Sequence, residues 1–86
     1  MDRLTAAKKI RALPAASVMM ETVCRNGNVV TYRDGDSYCV ISCCANSGLV
    51  TDLGAKTAEK KHLELVEWLG GAKPPPVSPD LYISGY

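Results

Sequence analysis

The sequence predicts an α+β domain: a three-stranded antiparallel β-meander with helices packed on one face, in the order α-β-β-β-α, preceded by an extra N-terminal helix. Three observations predict it. Asn28–Leu53 is divided by two turn signals, Asp34-Gly35 and Asn46-Ser47-Gly48, into short runs rich in strand-forming residues. Thr57–Leu69 repeats its apolar residues at helical spacing. The chain has 86 residues, the length of one domain, so these stripes must share a small core.

Asp2–Leu13 reads as a short amphipathic helix. Leu4, Ala7, Ile10 and Leu13 recur along one side, with Lys8, Lys9 and Arg11 largely off that stripe. Pro14 limits it, because the residue before proline is pushed out of the α region. A second helix is expected from Ala15 to Arg25, with Val18, Met19, Thr22 and Val23 as its apolar face and Asn26-Gly27 as a left-handed stop. Asn28–Arg33 is the first expected strand. Ser37–Ala45 is the second and the most apolar, with Cys39, Ile41 and Cys43 on one face and Tyr38, Val40, Ser42 and Cys44 on the other. Leu49–Leu53 is the third, ended by Gly54. The last helix runs over Thr57–Leu69, with Thr57 as N-cap. Ala58, His62, Leu65, Val66 and Leu69 make its buried face, and Gly70-Gly71 stops it. The organisation is therefore a basic helix (1–14), a domain (15–71) and a proline-rich tail (72–86) expected to be extended and mobile.

Composition narrows the function classes. Charged residues are 22% and the net charge is +1, so the total points to no partner. Its distribution is uneven: Arg3, Lys8, Lys9, Arg11 and Arg25 face only Asp2 and Glu21 in residues 1–25. No apolar run approaches the roughly 20 residues of a membrane span. The basic N-terminus has no apolar stretch after it, so no signal peptide is read there. The four cysteines read as reduced thiols of an intracellular, cytoplasmic or nuclear, protein.

Several residues resemble the double-stranded-RNA-binding domain family over Ala15–Leu69. Ser17-Val18-Met19-Met20-Glu21 is similar to that family's first helix, and Tyr32 to a tyrosine common in its first strand. Gly54-Ala55-Lys56-Thr57-Ala58-Glu59-Lys60-Lys61 resembles the glycine-then-lysine start of its last helix, and Glu67-Trp68-Leu69 the way that helix ends. The resemblance implies a non-catalytic module that binds structured or double-stranded RNA. Glu21 would reach the minor groove, and Lys56, Lys60 and Lys61 would meet phosphates. Lys8, Lys9 and Arg11 would extend that surface. The physical logic is that A-form RNA is read mainly by shape, and that a helix N-terminus carrying lysines suits phosphate.

Two alternatives stand beside it. Glu59 occupies a position where the family has a lysine, and the Arg33–Asp36 connection is short. These departures favour a protein–protein adaptor or homodimer that uses a sheet face, an edge strand or the tail. A small phage or viral regulator of a host protein is the other reading. Lys56, Lys60 and Lys61 also fit an ordinary solvated helix face paired with Glu59 and Glu64. Cys24, Cys39, Cys43, Cys44 and His62 lack the paired short spacings of structural zinc, so buried small hydrophobes is the simpler account. The single histidine has no nucleophile signature around it, and there is no phosphate-cradling glycine loop. No enzyme, cofactor or metal is expected. Pro74–Tyr86 reads either as a linear motif with apolar anchors or as a disordered terminus.

Overall fold

The computed structural model describes residues 1–74. Helix α1 (Arg3–Ala12) and a single 3₁₀ turn (Ala15–Ser17) lead into four strands, β1 (Val18–Cys24), β2 (Gly27–Asp34), β3 (Ser37–Cys43) and β4 (Gly48–Leu53). Helix α2 (Ala55–Trp68) follows. The strands form one antiparallel sheet in the order β1-β2-β3-β4. The α+β class, with an antiparallel meander and helices packing on it, is as the sequence predicts.

Most of the segment expected as a second helix is instead β1, a strand added to the three expected. Met20, Thr22 and Cys24 pair with Thr31, Val29 and Gly27 of β2. Asn26-Gly27 is a hairpin signal as well as a helix stop, and the hairpin wins because β1 then shields the edge of β2. Gly27 is required by close approach. A Cβ there would collide with the carbonyl of Cys43 and lie 2.8 Å from Cys44 Cβ.

The helices lie on opposite faces of the sheet, not on one. Val29, Val40, Cys24 and Cys44 pack with Ala58 and Leu69 of the α2 side. Val30, Tyr32, Cys39 and Ile41 pack with Ala6 of α1. The reason is in the central strands. Four successive residues of β2 (Val29–Tyr32) and of β3 (Cys39–Ser42) are buried, so both faces need cover. The two face sets expected for Ser37–Ala45 separate as the alternation requires, with Val40 and Cys44 under α2 and Cys39, Ile41 and Cys43 under α1.

Local signals place the ends of the helices. Asp2 caps α1, its carboxylate accepting from the N–H of Thr5 at 2.7 Å, which also holds that carboxyl below its usual pKa. Leu13 takes an extended conformation ahead of Pro14. On α1 the fully buried residue is Ala6, backed by Ile10 and Leu13, whereas Leu4 is 63% exposed. Helix α2 begins two residues before the expected Thr57, on Gly54. It ends at Gly70 and Gly71, whose φ values are 87° and 84°, with the N–H of Gly71 donating to the carbonyl of Val66 at 2.9 Å.

The chain then turns back on the sheet. Ala72 bridges Cys24 in antiparallel sense, and the N–H of Lys73 donates to the carbonyl of Val23 at 2.7 Å. The start of the expected tail is thus bridged to the outer edge of β1. The remaining tail, from residue 75, lies outside the described residues.

Candidate functional site

The residues singled out for RNA do not converge. Glu21 is exposed on β1 opposite Val30, and the side chain of Val30 belongs to the α1 face. Lys56 and Lys60 are exposed on α2, and Lys61 is half-buried there. Lys8 and Arg11 are exposed on α1 and Lys9 is half-buried. The sheet stands between the two basic helices, so Glu21 and the α2 lysines look out from opposite sides. The separation follows from β1 being a strand, where successive side chains alternate between faces.

His62 is the best-fixed polar group. It is fully buried in α2. Its Nε2 lies 2.8 Å from Thr22 Oγ1 and its Nδ1 lies 2.7 Å from Thr31 Oγ1. A neutral imidazole has one donor and one acceptor nitrogen, and the hydroxyls supply the complementary roles. Burial lowers the pKa of His62, which keeps the ring neutral. With both nitrogens engaged by structural partners, this histidine joins α2 to β1 and β2. It has no nitrogen left for a metal or a relay.

The cysteines are free thiols. Burial pushes the Cys24 thiol up, away from a reactive thiolate. Among the described residues no group of His, Cys, Asp or Glu is arranged to hold a metal ion. Burial, followed by the influence of Cys39, pushes the Tyr32 phenol up to about 12, so it stays protonated.

The surface that sequence reasoning missed lies along β1. A cleft of about 300 Å³ is lined by Met19, Met20, Thr31, Tyr38, Ala55 and Glu59, between the start of β1 and the first turn of α2. Met19 is 50% exposed and Met20 is 39% exposed. A register shift between Val18 and Met20 is what brings two successive methionines to one cleft. The carbonyl of Val23 points outward to Lys73, so by ladder alternation the N–H and C=O of Glu21 also turn toward the open edge. An adjacent methionine pair in a candidate strand was the available signal, but it is visible only once the segment is read as a strand.

Among the described residues no helix is long and apolar enough to cross a membrane. No protein-family model, no curated protein and no solved structure matches the chain.

Proposed function

We propose that this protein is a non-catalytic interaction module that takes up an extended apolar segment of a protein partner along β1. The observation that carries this reading is the Ala72–Lys73 bridge: the outer edge of β1 already forms backbone hydrogen bonds with an antiparallel segment at its Val23–Cys24 end. The Met19–Met20 cleft opens beside the start of the same strand, on the α2 face of the sheet. Strand addition draws affinity from backbone hydrogen bonds and specificity from pockets for alternate side chains. Methionine suits such a pocket because its flexible, polarisable chain adapts to different partners.

Selection from a displayed random-peptide library tests the reading. Enriched peptides should alternate apolar and polar residues. Their binding should be lost in Met20→Asp, which charges the cleft. It should also be lost in Glu21→Pro, which removes an outward N–H while sparing the bonds to β2. Peptides that bind both variants as well as wild type would overturn it.

Duplex RNA is the second ligand we propose, and a specific feature favours it. Helix α2 starts on Gly54 with no side-chain cap and no acidic residue in its first turn, beside exposed Lys56 and Lys60. Uncapped N–H groups and lysines together attract phosphate. Lys61 follows directly after Lys60 and is half-buried, while Lys8, Lys9 and Arg11 would serve a separate contact on the other face. A duplex-RNA gel shift at two salt concentrations tests it. Lys56→Ala/Lys60→Ala should weaken retention and flatten its salt dependence. Absence of a shift at low salt rejects this ligand.

A further inference from the structure

At the opposite end of β1, a cleft of about 590 Å³ is lined by Arg3, Cys24, Arg25, Asn26, Gly27, Asn28 and Ala45. It lies where the start of α1, the β1–β2 turn and the β3–β4 turn meet. Its lining includes two arginines, two asparagines and no acidic residue. We propose that this cleft binds a phosphate group, with Arg3 and Arg25 as the charged donors and Asn26 and Asn28 as the neutral ones.

Charge carries the first part of the inference. Two arginines with no acidic residue beside them give the cleft a positive potential that favours an anion. Arg33 offers the contrast, because its Nε–H donates to the carbonyl of Gly35 at 3.0 Å within its own turn. Guanidinium forks match the oxygens of a phosphate in geometry as well as charge, and charge-assisted bonds of this kind are the strong ones.

Preorganisation carries the second part. The β1–β2 turn is pinned from behind by the end of α2. The N–H of Arg25 donates to the carbonyl of Gly71 at 3.2 Å, and the N–H of Asn26 to the carbonyl of Leu69 at 3.1 Å. Gly27 fits the turn against Cys43 and Cys44 with no room for a side chain. On the other wall, Cys43 Sγ donates to the carbonyl of Arg3 at 3.6 Å, which ties the start of α1 to β3. The backbone that presents Arg25 and Asn26 is therefore fixed before any ligand arrives, which lowers the ordering cost of binding on that wall.

The phosphate can come free or as an ester, and the test separates these sources. Inorganic phosphate is titrated into ¹⁵N-labelled full-length protein at constant ionic strength, with chloride as control. The expected result is saturable shifts of the Asn26 and Asn28 side-chain amides and the Arg3 and Arg25 Nε signals. In Arg3→Ala/Arg25→Ala the dissociation constant should rise by about ten-fold or more, as expected for losing charge-assisted bonds. If that variant does not fold, the single Arg3→Gln and Arg25→Gln variants decide by the same readout, each with a several-fold weakening. Adenosine 5′-monophosphate in place of phosphate identifies the source. Tighter binding marks an ester and equal binding marks the free anion, and either supports the site. Shifts that do not saturate, that chloride reproduces, or that the arginine variants retain would overturn it.

Discussion

On the α2 face of the sheet, two threonine hydroxyls grip a buried imidazole at 2.8 and 2.7 Å, and the end of the helix is stitched to the β1–β2 turn by backbone bonds. On the α1 face, Ala6, Ile10 and Leu13 meet Val30, Tyr32, Cys39 and Ile41 through apolar contact. The first attachment is directional and fixes where α2 sits. The second depends on area removed from water and tolerates small shifts of the helix. The contrast is between a 14-residue helix held at defined points and a 10-residue helix held by a shallow apolar stripe.

The strongest way to break this comparison is His62→Ala. It opens a cavity and leaves the buried Thr31 hydroxyl without its partner, so a loss of about 4 kcal/mol is expected. Urea unfolding should show a much lower midpoint with an unchanged slope. Ile41→Ala on the other face should cost about 3 kcal/mol, because it removes apolar contacts without orphaning a polar group. If Ile41→Ala proves the more damaging of the two, the polar bridge is not the stronger clamp.

Hydrogen exchange sharpens the comparison without any mutation. Amides of α1 should exchange through local opening at a lower free energy than those of α2. Equal protection in the two helices would show that α1 is part of the same cooperative unit.

Acid titration probes the α2 face alone. Burial depresses the His62 pKa in the folded protein. The unfolded chain, with an ordinary histidine near 6.5, takes up a proton that the native state refuses. Stability is therefore constant above about pH 6.5 with respect to this group and falls as the pH drops below it. His62→Gln should remove that part of the acid dependence. A smaller effect still is expected from Met20→Asp on folding itself. The residue is partly exposed, and the change should stay within about 0.5 kcal/mol.

Much of this architecture was legible in the residues. The two face sets of β3, the Asp34-Gly35 hairpin, the Pro14 limit on α1 and the Gly70-Gly71 stop each follow from a local rule, and local rules are written in neighbouring residues. The Val18–Cys24 strand was not legible in that way. Its apolar residues fit a helical face about as well as an alternating strand, and Asn26-Gly27 ends a helix as readily as it turns a hairpin. What decides the matter is β2, whose edge needs a neighbour, and that is a tertiary demand. The same reassignment explains why the sites were hidden. Read as a helix, the segment puts Glu21 toward the basic turn of α2. Read as a strand, it sends Glu21 to the other face, brings Met19 and Met20 to a cleft, and makes Arg25 and Asn26 a hairpin tip.

The sheet has a second edge, β4, and its last turn of ladder is irregular. Tyr38 opposes Leu53 and Val40 opposes Val50, so Thr51 and Asp52 together face one residue of β3. Asp52 sits there at φ 59°, the one non-glycine residue with positive φ among the described residues. An edge interrupted in this way, with a carboxylate on the bulge, is a poor template for another strand. The consequence concerns colloidal behaviour. At high concentration, edge-to-edge association is expected to be disfavoured on the β4 side, and replacing Asp52 by a β-branched apolar residue in a regularised strand should favour it, which light scattering would register.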